Sequence, residues 1–306
     1  MRNFFGLLFV TFFVMGVAPV AQAECALSHA PLPRGEIGLQ LFQPMDEFAA
    51  KTAKDMGMKW LRLELYWDRL EPKSGQLDWA FFDSVMDRYG GNYQVMALFN
   101  HAPSWTKSLS KEDFAKASAH VMGQAAARYK GRVRAWEVFN EPNLAGYGWP
   151  DGADSSQRYS ITLAAVGSAI RDADRDVLIV TGGLSPMGSK PADFLSAIVK
   201  NTPADCYDVI GLHPYGEADH LDRILQNGKV LTNKPFWFTE LGADPEQQEN
   251  ILRQIFAQRD QIGLLFWFTD RDWGRFGEHY GLMDYKGRQR PSYNVFKTLQ
   301  TDATKP

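Results

Sequence analysis

Residues 135–146, AWEVFNEPNLAG, contain the feature that decides the fold. Val133 and the apolar residues that follow it predict a buried strand at 133–139. That strand ends at once in Asn140, Glu141 and Pro142, and proline cannot continue a ladder of hydrogen bonds. A turn alone requires no glutamate at this position. Either Glu141 caps the connection by chance, or the strand positions its carboxyl group for a function.

The rest of the chain repeats one unit, a short apolar run followed by a helical pattern. Helices are predicted at 111–129, where Ser110 and Asp113 have the spacing of a capping box, at 157–173, and at 245–261 with Pro245 in the first turn. Strands are predicted by eight runs, at 37–42, 60–66, 93–99, 133–139, 177–181, 208–212, 235–239 and 264–269.

Strands that alternate with helices predict parallel pairing. Eight such units in about 270 residues predict an α/β fold of one domain, the (β/α)₈ or TIM barrel. A doubly wound open sheet is the alternative, but its first turn after a strand is normally rich in glycine. Residues 40–44, QLFQP, contain none.

Composition excludes some classes of partner. The chain has 306 residues, of which 45% are apolar and 23% charged, and its formal net charge is −3. Binding of nucleic acid needs clustered positive charge, and the sequence contains no run of lysine and arginine. We therefore expect no nucleic-acid partner.

The first 23 residues predict a cleaved signal peptide. Arg2 precedes an apolar run at 4–17, and Ala21-Gln22-Ala23 forms an A-x-A cleavage site. The apolar run is short for a bilayer, so we expect no stable membrane anchor. The mature protein would be a periplasmic or secreted monomer whose barrel occupies residues 24–306.

The chain has two cysteines, Cys25 and Cys206. Two cysteines cannot supply a four-ligand zinc site, and neither belongs to a C-x-x-C pair. In an oxidising compartment they predict one disulfide, and the alternative is a buried, unpaired Cys206. Because Cys206 precedes strand 6, the bond would lie at the floor of the barrel. We expect no metal and no cofactor.

The predicted strand ends carry polar and aromatic side chains, and a barrel of this type has its active site at the carboxyl ends of its strands. Arg62 and Glu64 alternate with leucines in strand 2, which places them inside the barrel. The other candidates are Asn100, His101 and Trp105 after strand 3, Asn140 and Glu141 after strand 4, His213 and Tyr215 after strand 6, Glu240 after strand 7, and Trp267 in strand 8.

Glu141 and Glu240 thus close strands 4 and 7 on opposite sides of the barrel mouth. Two opposed carboxyl groups are the working parts of glycoside hydrolysis, in which one gives a proton and the other attacks or activates water. Aromatic rings such as Trp105 suit the apolar faces of sugars, while polar groups such as His101 suit hydroxyls. A saccharide is therefore the predicted substrate.

EVFNEPN on strand 4 and FTELG on strand 7 resemble the clan A glycoside hydrolases, which are retaining enzymes on a (β/α)₈ barrel. GLHPYG at 211–216 and the single domain look most like families 39 and 5. Those families include bacterial endoglycosidases associated with exopolysaccharide export. The resemblance implies hydrolysis of a poly- or oligosaccharide through a covalent glycosyl-enzyme.

The resemblance also implies a role for individual residues. The glutamate of Asn-Glu-Pro matches the acid/base, Glu141, and the glutamate closing strand 7 matches the nucleophile, Glu240. The matching substrate-binding residues are Arg62, Asn140, His213, Tyr215 and Trp267.

Several alternatives stay open at this point. Arg62 and Glu64 could form a buried ion pair, and His101 and His213 could be structural. Trp105 and Trp267 could pack the rim of the barrel, and we assign Glu137 a structural role. A non-catalytic saccharide-binding barrel is the alternative function, although such a protein would normally lose one of the two glutamates.

Overall fold

One sheet of parallel strands forms the centre of the computed structural model, which describes residues 25, 27–144, 146, 149, 154–187, 191–216, 221–274 and 279–303. The signal peptide predicted at 1–23 lies outside the described residues. The strands are β1 Glu36–Gln40, β2 Trp60–Tyr66, β3 Gln94–Asn100, β4 Val133–Val138, β5 Leu178–Thr181, β6 Ile210–Leu212, β7 Phe236–Leu241 and β8 Leu264–Trp267.

Helices alternate with these strands. They are α1 Glu47–Asp55, α2 Trp67–Leu70, α3 Ala80–Tyr89, α4 Lys111–Arg128, α5 Ser155–Ala173, α6 Pro191–Asn201, α7 Leu221–Leu231, α8 Gln248–Gln258 and α9 Pro291–Ala303. Short 3₁₀ helices occur at Ser104–Ser108, Ala204–Cys206 and Arg259–Gln261. Each described helix is too short or too polar to cross a membrane.

The 8-stranded sheet has the order β5-β4-β3-β2-β1-β8-β7-β6. Single parallel bridges, Val180 with Val209 and Leu184 with Leu212, join its two edge strands. The sheet therefore closes on itself, which confirms the predicted (β/α)₈ barrel.

The last residues of several strands differ from those predicted. β2 has the predicted bounds, but β1 ends two residues early at Gln40 and β8 ends two residues early at Trp267. The backbone N–H of Asp270 then donates to the Gln40 carbonyl, so the chain beyond β8 crosses the end of β1 instead of extending the ladder. β7 continues to Leu241, which places Glu240 within the strand.

The helix predictions have one clear error. The capping box of α4 is confirmed, because the Ser110 hydroxyl accepts from the backbone N–H of Asp113. In contrast, α8 begins at Gln248 and not at Pro245. The residues around Pro245 form a turn, in which the N–H groups of Gln247 and Gln248 both donate to the Asp244 carbonyl.

Alternation along the strands separates two apolar layers. Leu61, Leu63 and Leu65 of β2 pack toward the helices in the larger core, as predicted. A second apolar cluster lies inside the barrel and contains Trp60, Met96, Ala135, Leu178, Val180, Val209, Trp237, Leu264 and Phe266. Above it, toward the carboxyl ends of the strands, the interior becomes polar with Gln40, Arg62 and Glu137.

The floor of the barrel is tied to the N-terminal segment. Cys25 and Cys206 form a disulfide with their Cα atoms 4.9 Å apart, within the reach of about 7 Å that such a bond allows. The N–H of Ser28 donates to Asp208 Oδ1 at 3.1 Å, and Ala30 packs against the inner apolar cluster. The segment thus covers the end of the barrel opposite the predicted site.

Candidate active site

A cleft of about 430 Å³ opens at the carboxyl ends of the strands. Both predicted catalytic glutamates line it, together with a third carboxyl group, Glu64. Its other described lining residues are Phe42, Tyr66, Asn100, His101, Asn140, Gly146, Met187, Tyr215, Phe268, Trp273 and Tyr280. The cleft therefore combines acidic groups on the barrel side with aromatic rings around them.

Glu240 is held as a carboxylate by two donors. Arg62 Nη1 lies 2.5 Å from its Oε1, and the Tyr215 hydroxyl donates to its Oε2 at 3.0 Å. Burial raises the pKa of this carboxyl group, but His213, Arg62 and the Tyr215 hydrogen bond outweigh it and leave the pKa below its usual range. An ionised, oriented carboxylate at this position is suited to nucleophilic attack.

Arg62 is the centre of a buried network and is itself fully buried. Its Nε donates to Glu137 Oε2 at 2.7 Å and its Nη2 to Asn140 Oδ1 at 3.0 Å, while Nη1 also contacts Gln40. Burial lowers the pKa of the guanidinium, but the charges of Glu137 and Glu240 more than compensate, so it stays ionised. The side chain predicted to bind substrate therefore supports Glu240 from behind.

Glu141 occupies an unusual backbone conformation directly after β4. Its φ is 42°, in the left-handed region that few non-glycine residues adopt. The N–H of Glu141 donates to the Gly183 carbonyl at 3.1 Å, which fixes this turn to the loop after β5. Such conformations concentrate at active sites, where surrounding contacts hold them.

His213 lies beneath both carboxyl groups. Its Nδ1 is 2.9 Å from Glu141 Oε1 and 3.7 Å from Glu240 Oε2, and its Nε2 is 3.1 Å from the Thr239 hydroxyl. Burial lowers the pKa of this ring, but the two glutamates more than offset it and the pKa is raised. The two carboxylate oxygens cannot be farther apart than the sum of their distances to Nδ1, 6.6 Å.

The remaining predicted substrate-binding residues divide into two groups. Asn140, His101 and Tyr215 line the cleft. The rings of His101 and Tyr66 are 4.9 Å apart, and burial lowers the pKa of His101, with Asp68 opposing this effect. Trp105 packs against the larger core and donates to the Glu71 carbonyl at 3.0 Å, so its indole N–H is already used.

Trp267 does not reach the cleft. It is fully buried in the layer between the strands and the helices, and its Nε1 donates to the Tyr280 carbonyl at 3.2 Å. Side chains of a strand alternate between its two faces. Phe266 therefore points into the barrel, and the next residue with that parity, Phe268, lines the cleft. The tryptophan prediction was wrong by one residue.

Other cleft residues were not among the candidate site residues predicted from the sequence. Phe42 and Trp273 stack at 5.0 Å with an angle of 10° between their planes, and Trp273 is 60% exposed. Glu64 was placed inside the barrel by strand parity, but its exposure to the cleft was not predicted. Burial, with a smaller contribution from Glu240, raises the pKa of Glu64 to about 7 against the opposing charge of Arg62.

Among the described residues no group of three or more histidine, cysteine, aspartate and glutamate side chains is arranged to hold a metal ion. The arrangement instead offers proton transfer and nucleophilic attack by carboxyl groups.

Comparison with known proteins places this site in a family. The family described as Cellulase (glycosyl hydrolase family 5) matches residues 36–275. The chain is 30% identical over 275 residues to "Endo-1,4-beta-xylanase 3" of Hypocrea jecorina, covering 80% of this chain and 76% of that protein. It is 25% identical over 179 residues to "6-phospho-beta-glucosidase" of Dickeya chrysanthemi, covering 48% of this chain but only 38% of the relative.

The fold is shared with solved structures of low sequence identity. A family 39 glycoside hydrolase from the gut symbiont Bacteroides cellulosilyticus WH2 superimposes with a TM-score of 0.69 at 17% identity, covering 88% of this chain and 64% of the other. The sequence resembles families 39 and 5, and the matching family model is that of family 5. The matched residues include the strands that carry both glutamates. The chain belongs to glycosyl hydrolase family 5.

Proposed function

We propose that this chain is a retaining glycosidase that hydrolyses O-glycosidic bonds of a poly- or oligosaccharide by double displacement. Glu240 is the nucleophile and Glu141 is the acid/base. The observation that carries the proposal is the position of these two carboxyl groups, which face one cleft with His213 between them.

The spacing of the two glutamates supports retention of configuration. Their carboxyl groups are about 5–5.5 Å apart in retaining enzymes and about 6.5–9.5 Å apart in inverting ones, where a water molecule must fit. Glu141 Oε1 and Glu240 Oε2 lie at most 6.6 Å apart, because both contact His213 Nδ1, and this short separation fits the retaining arrangement.

The chemistry follows from the different surroundings of the two groups. A carboxylate oxygen of Glu240 attacks the anomeric carbon while the bond to the leaving oxygen breaks and Glu141 gives that oxygen its proton. In the second step Glu141 takes a proton from water, whose oxygen attacks the anomeric carbon and releases Glu240. Arg62 and Tyr215 stabilise Glu240 as the anion before attack and after release.

The nature of the substrate is part of the proposal. The names of the matched family and relatives refer to cellulase, endo-1,4-β-xylanase and 6-phospho-β-glucosidase, which supports a β-linked glycan. A bacterial exopolysaccharide is the more specific substrate that the sequence resemblance predicts. We further propose that residues 1–23 direct the protein to the periplasm or the medium, where it acts as a monomer.

Removal of each glutamate tests the two roles. Glu240→Ala should abolish turnover of every glycoside, because no covalent intermediate forms. Glu141→Ala should still glycosylate Glu240 from a dinitrophenyl glycoside, whose leaving group needs no proton, and should then stall. Mass spectrometry of the intact protein measures the adduct. Glu112→Ala, an exposed carboxylate on α4, is the matched control and should keep wild-type rates.

Azide separates the roles further. It should rescue Glu141→Ala by attacking the glycosyl-enzyme, and the glycosyl azide should have the configuration of the substrate. Rescue of Glu240→Ala with retained configuration would reverse the assignment. A wild-type protein that binds saccharides but turns over no glycoside or exopolysaccharide would instead be the non-catalytic binding barrel.

A further inference from the structure

The connection from β8 to α9 contains a buried ion pair between Asp272 and Arg290. Arg290 Nη1 donates to Asp272 Oδ1 at 3.0 Å, and its Nη2 donates to Oδ2 at 2.7 Å. The side chain of Asp272 is 1% exposed and that of Arg290 is 16% exposed. Neither is among the described residues that line the catalytic cleft. Because taking two charges out of water costs free energy, such a pair stabilises a fold only when further hydrogen bonds satisfy it.

The further hydrogen bonds of this pair converge on Gly281. Its N–H donates to Asp272 Oδ1 at 3.0 Å, and its carbonyl accepts from Arg290 Nη1. A Cβ added at Gly281 would lie 2.4 Å from the backbone nitrogen of Asp272, so the two stretches of the connection are in direct contact. Asp272 Oδ2 also lies 3.2 Å from His279 Nδ1. The ion pair therefore holds the residues on both sides of Tyr280.

The backbone around Tyr280 is also fixed from the side opposite the cleft. The carbonyls of His279 and Gly281 both accept from Gln248 Nε2 at 3.2 Å. The carbonyl of Tyr280 accepts from Trp267 Nε1 at 3.2 Å. Three successive carbonyl groups thus accept from side chains that are fully buried. The position of Tyr280 is therefore set by groups that lie behind the cleft wall.

The ring of Tyr280 is connected to Glu240 through one neighbour. It lies 5.5 Å from the Tyr215 ring, with 30° between the two planes. A Cβ added at Gly242, just beyond β7, would lie 2.9 Å from the Cβ of Tyr280, so the tyrosine packs directly on this backbone. The Tyr215 hydroxyl in turn donates to Glu240 Oε2 at 3.0 Å. Displacement of Tyr280 would remove the support that keeps this hydroxyl on Glu240.

We propose that Asp272 and Arg290 are positioning residues for hydrolysis, which hold Tyr280 against Tyr215 and so keep the Tyr215 hydroxyl on Glu240. This inference rests on the proposed function, because Glu240 is the nucleophile only there. A pair that merely stabilised the fold would change the free energy of unfolding and leave the ionisation of Glu240 as it is. The ionisation of Glu240 therefore distinguishes the two roles.

Carbon-13 NMR of protein labelled at the glutamate Cδ follows this ionisation without turnover, and Glu240→Gln identifies the signal by its absence. Tyr215→Phe should move the midpoint of the Glu240 titration to higher pH, because the Tyr215 hydrogen bond helps to lower this pKa. Asp272→Asn replaces one acceptor oxygen by a donor. It should therefore loosen Tyr280 and move the midpoint in the same direction, by less than Tyr215→Phe does.

The two substitutions should not add. Residues that act through one contact show coupled effects, so Asp272→Asn should cause no further shift in a protein that already carries Tyr215→Phe. The other charged or titratable groups around Glu240 stay the same in these variants; they are Arg62, His213, Glu141 and Glu64.

Two further variants complete the test. Asp284→Asn breaks the pair of Asp284 with Arg288, which lies in the same connection, and as the matched control it should leave the Glu240 midpoint unchanged. Tyr280→Ala keeps the ion pair but removes the ring, and it should move the midpoint to higher pH. Unfolding temperatures show which variants are folded, and Tyr280→Ala decides the question if Asp272→Asn is not.

The outcomes separate this inference from the proposed function. A folded Asp272→Asn or Tyr280→Ala protein with an unshifted Glu240 midpoint would overturn the positioning role. A further shift from Asp272→Asn in the Tyr215→Phe protein would also overturn it, because the effect would then bypass Tyr215. Failure of the wild-type protein to cleave any glycoside would overturn the proposed function alone, since the NMR titration needs no substrate.

Discussion

Arg62 Nη1 lies 2.5 Å from Glu240 Oε1, and the arginine has no exposed surface. The same guanidinium also donates to Glu137 and Asn140, so one rigid group aligns the nucleophile with the end of β4. Lysine keeps the positive charge but has no fork of donors and cannot bridge these positions. Arg62→Lys should therefore disturb the alignment of Glu240.

Arg62→Lys should lower kcat by about 10²-fold, the order expected when a preorganised electrostatic partner is lost from an active site. The pKa of Glu240 should rise, because lysine keeps the positive charge but loses the guanidinium hydrogen bond that helps to lower this pKa. Since Glu240 must be ionised to attack, the acid limb of kcat/KM against pH should move to higher pH. Arg132→Lys, an arginine paired with Asp87 on the surface, is the control. An unshifted acid limb would contradict the role of Arg62.

Gly183 should tolerate no side chain, because a Cβ there would lie 2.0 Å from His213 Nε2 and 2.5 Å from the Thr239 hydroxyl. Gly183→Ala must displace the imidazole that contacts Glu141. We expect activity to fall by about two orders of magnitude, since displacement of about 1 Å costs that much in a preorganised site. Gly91→Ala is the matched control, because nothing lies within 4 Å of its added Cβ. Near-normal activity of Gly183→Ala would show that His213 is not needed where it lies.

The disulfide should contribute to stability and not to activity. Cys25 and Cys206 are separated by 181 positions, so the bond closes a long loop in the unfolded chain. A bond of this kind typically adds about 2–4 kcal/mol to the free energy of unfolding. Replacing both cysteines by serine should lower that free energy by this amount, measured by urea unfolding, and leave kcat/KM unchanged. A large loss of kcat/KM in the folded variant would mean that the barrel floor communicates with the cleft.

The fold followed from the sequence because the strands obey simple rules of period and parity. Each predicted strand exists, and Arg62 and Glu64 point inward as their alternation with leucines requires. The strand ends were less predictable. Whether a strand continues past Gln40 or Trp267 depends on which loop its backbone meets, and that contact is made by a residue distant in the sequence.

The site was predictable to a similar degree. The positions of Glu141 and Glu240 in the cleft were predicted from motifs, because Glu141 lies just after β4 and Glu240 lies near the end of β7. Phe268 was missed because the motif pointed to the adjacent tryptophan, whereas parity in β8 turns Trp267 toward the helices. Phe42 lies after β1, whereas Trp273 and Tyr280 lie between β8 and α9, and only the closed barrel brings these two stretches together.

The last prediction concerns Glu64, whose pKa is raised to about 7 from the ordinary 4.5, mainly by burial. Between about pH 4.5 and pH 7, Glu64 therefore keeps its proton in the folded protein, whereas in the unfolded chain it has lost that proton. Because the native state binds more protons in this window, the free energy of unfolding should fall as pH rises from about 4.5 through 7. Glu64→Gln carries no titrating group at this position and should lack that part of the pH dependence.

The difference between variant and wild type isolates the effect. Asp270, whose pKa burial raises to about 6, is present in both proteins, so its contribution cancels. Relative to wild type, Glu64→Gln should be more stable at pH 8 than at pH 5 by about 2 kcal/mol. This stability difference is smaller than the whole pKa shift of Glu64 would give at about 1.4 kcal/mol per pKa unit, because Glu64 faces the open cleft. In Glu112→Gln, which alters an exposed carboxyl group, the difference from wild type should be the same at both pH values. If Glu64→Gln behaved like this control, the third carboxyl group of the cleft would titrate as an ordinary surface glutamate.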